Sequence, residues 1–113
     1  STKKVNKWYD LFDDWELIES SFAMQYPNKD LYDDEMDWIE FTTLLNGLTA
    51  ETPLGRIIQI RSEDNQDIID SFTQGEREIY NSWQNKQMEL KYKNKSKEEV
   101  MKDIQNMFKG MFS

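Results

Sequence analysis

Apolar residues recur along this chain at three- and four-residue steps, the spacing that lines up one face of a helix. Leu11, Trp15, Ile18, Phe22 and Tyr26 make the first such stripe, which predicts a helix from about Asp10 to Tyr26. Asp13, Asp14, Glu16 and Glu19 crowd its opening turns, where carboxylates suit the positive end of the helix dipole. Pro27 stops it, since proline brings no amide hydrogen to the ladder. After a short turn over 28–33, Asp33 or Asp34 can cap a second helix that ends near Leu48. Its stripe is Trp38, Phe41, Leu45 and Leu48, and Gly47 weakens its last turn. Trp15, Phe22, Trp38 and Phe41 are therefore expected in the core.

Thr52-Pro53 restarts the chain. Threonine is a favoured N-cap, and proline is tolerated as the first helical residue because its missing N–H would have had no partner there. The run Leu54 to Ser62 suits a helix on Leu54, Ile57, Ile58 and Arg61, although Ile57-Ile58-Gln59-Ile60 alone would also suit a buried strand. No other convincing strand exists to pair with it, so a helix is expected. Glu63 to Gln66 breaks the chain, and Asp67 to Phe72 offers one helical turn. Thr73 with Glu76, and Ser96 with Glu99, each have the spacing of a capping box, in which the two residues satisfy each other's amides. The first box opens a helix with Ile79, Tyr80, Trp83 and Leu90, continuing to about Tyr92. The second opens a last helix through about Lys109, with Val100, Met101, Ile104, Met107, Phe108 and Met111 as its apolar stripe. The expected fold is all-α, a small domain of about four to five helices. A polar linker over 91–97 would separate an acidic helical domain, 1–94, from a C-terminal Met-rich helix, 95–113.

Composition narrows the classes. With 37% hydrophobic and 13% aromatic residues in 113, the chain has aromatic weight that disordered segments lack. No apolar run approaches the roughly 20 residues that span a bilayer, and no signal-peptide core follows the N-terminus. A soluble protein with no membrane partner is expected. The net charge of −8 is uneven: Trp8 to Glu51 holds twelve acids against Lys29 alone, while from Gln87 onward six lysines oppose four acids. An acidic body repels phosphates, so no nucleic-acid partner is expected; a basic protein partner is compatible with it.

Candidate chemistry is sparse. The absence of cysteine and histidine removes disulfides, thiolate or imidazole metal sites, and the usual nucleophile–base pairs. The four glycines do not cluster into a phosphate loop. Asp33, Asp34, Glu35, Asp37 and Glu40 are dense in carboxylate, but the run lacks the alternation and the glycine of a calcium loop. It reads as a solvated helix start. No catalytic pair, metal or cofactor is expected. Arg56, Arg61 and Arg77 are each expected to pair with a carboxylate. Trp8 and Trp83 fall less regularly on stripes than the other tryptophans, which leaves partner-facing roles open to them. The Met107, Phe108, Met111 and Phe112 cluster either packs back on the body or captures a partner. Methionine-rich surfaces adapt to varied partners.

The order of residues from Trp15 to Trp83 resembles a group of small proteins of tailed phages of Gram-positive hosts. The shared positions are Ser21-Phe22 with Gln25-Tyr26, then Trp38-x-x-Phe41-x-x-Leu44-Leu45-x-Gly47-Leu48. Thr52-Pro53-Leu54-Gly55-Arg56-Ile57, Ile60-Arg61-Ser62-Glu63-Asp64, and Phe72-Thr73 with Glu76-Arg77 and Trp83 continue the match. These proteins lie among tail genes and look like tail-assembly chaperones. The resemblance implies a helical, non-enzymatic protein in the cytoplasm of an infected bacterium. Its partners would be phage tail proteins (the tape-measure protein, the tail-tube protein) or another assembly chaperone. Some such proteins are the downstream half of a frameshifted fusion, which suits a chain starting at Ser1. Trp83, Met101, Ile104, Met107, Phe108 and Met111 are the expected partner-binding residues. The alternative is an acidic inhibitor that binds a basic nucleic-acid-binding host protein.

Overall fold

Six helices and no strand form among residues 8–93 and 95–112, which the computed structural model describes, the side chain of Phe112 excepted. They are α1 (Trp15–Gln25), α2 (Trp38–Asn46), α3 (Pro53–Arg61), α4 (Gln66–Asp70), α5 (Gln74–Tyr92) and α6 (Lys97–Phe112). The all-α expectation holds, and the isoleucine-rich run over 57–60 is helix. By its internal contacts the chain divides into two compact units, Ser1–Tyr80 and Asn81–Ser113, with the division inside α5.

Local chemistry sets most element starts. The Thr52 side chain accepts from the Gly55 amide at 3.1 Å, with Pro53 as the first residue of α3. Both capping boxes close reciprocally. Thr73 and Glu76 exchange bonds of 2.9 and 3.2 Å, and Ser96 and Glu99 exchange bonds of 3.4 and 3.2 Å. Two starts differ from expectation. The first stripe breaks into a separate turn and a helix: the Asp10 carboxylate accepts from the Phe12 and Asp13 amides, and α1 begins only at Trp15. The cap of α2 is Asp37, whose side chain accepts from the Glu40 amide at 2.8 Å, not Asp33 or Asp34. Asp33 is engaged earlier, accepting from the Glu35 amide at 2.9 Å.

In the first unit α1 packs against α3, and α2 supplies the third wall of the core. Ile18, Phe22, Phe41, Leu45 and Leu54 form its buried centre. Phe22 stacks on Phe41 with ring centroids 5.6 Å apart and meets Tyr26 edge-on at 5.3 Å. Each such buried side chain contributes about 1.5–3 kcal/mol through area alone.

A polar knot ties the helix ends together. The Tyr26 hydroxyl donates to the Leu44 carbonyl at 2.7 Å. The Gln25 amide donates to the Gly47 carbonyl at 2.7 Å and accepts from the Thr49 amide at 2.9 Å. Ser21, wholly buried, accepts from the Leu54 amide at 2.9 Å and donates to the Leu17 carbonyl at 2.6 Å. Backbone groups that α2 and α3 leave without helical partners at their ends are thereby satisfied. Gly47 and Gly55 sit where this knot is tightest: a Cβ on Gly47 would stand 2.8 Å from the Tyr26 hydroxyl, and one on Gly55 2.0 Å from the Thr49 carbonyl oxygen. The positions that carry the resemblance in this stretch are thus building elements of the fold.

The arginines behave individually. Arg61 donates from both terminal nitrogens to the buried Asp14 carboxylate, at 2.8 and 3.1 Å, and also to the Trp8 carbonyl at 3.1 Å. Arg77 meets the Ile69 and Asp70 carbonyls, each at 3.3 Å, rather than a carboxylate. Cationic side chains suit the unsatisfied carbonyls at the end of a helix, here α4. Arg56 forms no ion pair among the described residues.

Candidate interaction surfaces

The C-terminal helix begins with a well-made start. Its capping box is reinforced by Lys95, whose ammonium lies 2.6 Å from the Asp103 carboxylate two turns on. The pairing holds Lys95 above its ordinary pKa and Asp103 below the ordinary carboxylate range. A helix of sixteen residues is marginal alone in water, so these local bonds matter to whether α6 forms. Along it, Met101, Ile104, Met107, Phe108 and Met111 fall at steps of three, three, one and three, which gathers them on one face. Each is exposed, between 37% and 72%. Three of the five are methionine, flexible and polarisable, and suited to irregular partners. The Phe112 side chain lies outside the described residues.

Trp83 does not share this exposure. It is 5% exposed, because it lies three and four residues beyond Tyr80 and Ile79 on the half-buried stripe of α5. The Lys86 ammonium lies 5.6 Å from its ring centroid. It offers little surface to a partner, so the candidate set narrows from six residues to the five of α6.

A second surface opens in the first unit. Leu11, Trp15, Leu31, Met36, Asp37, Trp38 and Phe41 line an open groove of about 300 Å³. The loop over 28–37 builds its rim through a series of side-chain turns. Asp30 accepts from the Tyr32 amide at 2.9 Å and Asp33 from that of Glu35, and these turns alternate inward Leu31 and Met36 with exposed acids. The Trp15 indole donates to the Tyr32 hydroxyl at 3.0 Å, which in turn donates to Glu19. That acceptor holds the Tyr32 phenol above its ordinary pKa. Trp38 was expected in the core and is not there: it is 63% exposed, its ring 5.5 Å from that of Phe41. As the first residue of α2 its side chain leans past the helix start instead of over a preceding turn. Sequence reading missed this groove. Its available signal was the adjacent pair Trp38-Ile39, since two large neighbours cannot both lie on one narrow helical stripe; Ile39 is exposed as well.

Among the described residues no group of three acidic side chains converges into a geometry that could hold a metal ion, and no helix is long and apolar enough to cross a membrane.

The model of the family described as Bacteriophage Gp15 protein matches this chain over residues 1–88, and the chain belongs to that family of bacteriophage proteins. The match reaches further toward the N-terminus than the shared positions from Trp15 to Trp83, and it ends within α5, before α6. No curated protein and no solved structure matches the chain.

Proposed function

We propose that this member of the bacteriophage Gp15 family is a non-catalytic tail-assembly chaperone, which binds the tape-measure or tail-tube protein in the cytoplasm of the infected host during tail formation. The observation that carries the reading is the exposed apolar face of α6, Met101, Ile104, Met107, Phe108 and Met111, on a helix with a closed capping box. An exposed apolar face of this kind, rimmed by charge, marks a surface built for association. A long amphipathic helix of an unassembled tail protein needs such a cover, and groove-and-stripe contacts at helical spacing supply it. The acidic body keeps the complex dispersed through like-charge repulsion. The residue types present support binding over catalysis, since the chain has neither histidine nor cysteine to activate.

The test is co-expression with the tape-measure and tail-tube proteins of the same phage, followed by affinity capture. Met107→Gln with Phe108→Gln, and separately a truncation removing 96–113, should lose the partner while circular dichroism shows the first unit still folded. Capture by the original chain should survive high salt, because apolar contact is screened little. Undiminished capture by both variants would reject the assignment. Salt-sensitive capture of a basic host protein instead would favour an acidic inhibitor.

A further inference from the structure

The groove between α1, the 28–37 loop and the start of α2 is unused by the assignment above. Its walls are apolar: Leu11, Trp15, Leu31, Met36 and Phe41, closed on one side by the exposed ring of Trp38. At about 300 Å³ it is at the lower limit of ligand pockets, room for one or two large side chains rather than a whole helix. The surroundings carry one sign of charge. Asp37 lines the groove itself, and Asp33, Asp34 and Glu35 directly precede its wall residue Met36. Glu19 is joined to the wall residue Trp15 through Tyr32. The one lysine between Trp8 and Glu51, Lys29, is held 2.7 Å from Glu40 and so neutralises another acid.

We infer that this groove is a second docking site and that its occupant is a short basic segment of another protein, with one or two bulky apolar side chains flanked by lysine or arginine. The apolar anchor seats against Trp38, Leu31 and Met36. The flanking cations meet the acidic rim, which steers the approach and selects against acidic segments. An aromatic ring already exposed at the mouth is the kind of residue that dominates such contacts. The inference goes beyond the role given to α6 and stands without it.

Calorimetric titration of the full chain with synthetic helix-forming peptides tests it. The probes are a peptide with lysines flanking a central Leu-Phe pair, its counterpart with glutamates for lysines, and a lysine peptide with alanine for both anchors. The first should bind and the other two should not. Trp38→Ala should weaken binding by about tenfold or more; the ring is exposed, so the fold survives its loss. Asp34→Lys with Glu35→Lys should turn the preference toward the glutamate peptide. Met107→Gln with Phe108→Gln should bind the lysine peptide as the original chain does, which separates this site from α6. No binding of the lysine peptide, equal binding of the alanine-anchored one, or indifference to Trp38→Ala would each overturn the inference. Self-association that Trp38→Ala abolishes would assign the groove to a second copy and overturn it too.

Discussion

Replacing Gly55 with alanine tests how tightly the fold is built where α3 begins. A Cβ there would lie 2.0 Å from the Thr49 carbonyl oxygen and 2.9 Å from Thr52 Oγ1. The nearer obstacle is backbone, so no side chain can rotate away. The 49–52 turn would have to retreat by at least about 1 Å to reach even the closest approach that real Cβ atoms show. That movement strains the bond from the Thr52 hydroxyl to Thr49 (2.7 Å) and the cap from the Gly55 amide to Thr52 (3.1 Å). Each is worth about 1 kcal/mol, and overpacking a close-packed site costs about 1–3 kcal/mol more. Alanine returns at most about 1 kcal/mol through its better helix propensity. The net expectation is a loss of about 2–4 kcal/mol, a large part of the roughly 5–15 kcal/mol that holds a domain folded. Gly75→Ala is the internal control, in the same unit and also in a helix. Among the described residues a Cβ there meets nothing within 4 Å, so it should be neutral or stabilising by up to about 1 kcal/mol. Urea unfolding followed by far-ultraviolet circular dichroism reads both midpoints. A Gly55→Ala midpoint equal to or above that of the original chain would refute the packing argument.

Two further outcomes follow from ion pairs. Asp14→Ala leaves the largely buried Arg61 guanidinium with the Trp8 carbonyl but without its bidentate carboxylate and should cost up to about 3 kcal/mol; adding Arg61→Met to it should recover much of the loss in the same urea assay. The Lys95–Asp103 contact should depend on pH in a fixed direction. Asp103 titrates below its ordinary value because Lys95 donates to it, so its contribution is complete above about pH 4 and fades as pH falls further. Lys95 is raised by the same bond, so the contact is also lost only when pH rises beyond the ordinary lysine range. Carboxyl carbon resonances should show Asp103 titrating at higher pH in a Lys95→Ala variant, and an unchanged midpoint would count against the bond.

What the sequence displayed well was local. Thr52-Pro53, the two capping boxes and the 3.6-residue stripes act through neighbours a few positions away, and each produced its helix. What it concealed depended on distant residues or on competition between like ones. Asp14 looks like one more helix-start acid, but it is buried because Arg61, 47 residues on, reaches it. Asp33, Asp34 and Asp37 are equivalent as caps by type; the choice falls to Asp37 once Asp33 has been taken by the loop. Trp38 obeys the spacing of its stripe, yet the helix begins at that residue and leaves the ring outside. The five α6 side chains were legible as a stripe, while the burial of Trp83 was not, because its patchy helix obscured which of its faces is buried.

The residues that carry the resemblance and the residues that could recognise a partner coincide at Trp38 and Phe41 in the groove wall and otherwise differ. Ser21, Phe22, Gln25, Tyr26, Gly47, Thr52, Leu54 and Gly55 are tied up in the core and the polar knot. A match carried by them constrains the scaffold, since a change at any one leaves a cavity, a clash or a buried polar group without its bond. Recognition needs the opposite kind of position, one whose side chain is exposed and whose replacement the fold tolerates. The α6 stripe and the exposed Trp38 ring at the groove are of that kind. The α6 stripe lies wholly beyond residue 88, where the family match ends. Asp34 and Glu35, which directly precede the groove wall residue Met36, lie within it, on exposed loop positions outside the core cluster. Shared scaffold with separately variable surface predicts that relatives keep the knot while their partners differ, and that exchanging residues 96–113 between two family members carries the α6 partner across without moving the midpoint of the first unit. A transplant that unfolds that unit would show that the helix belongs to the scaffold instead.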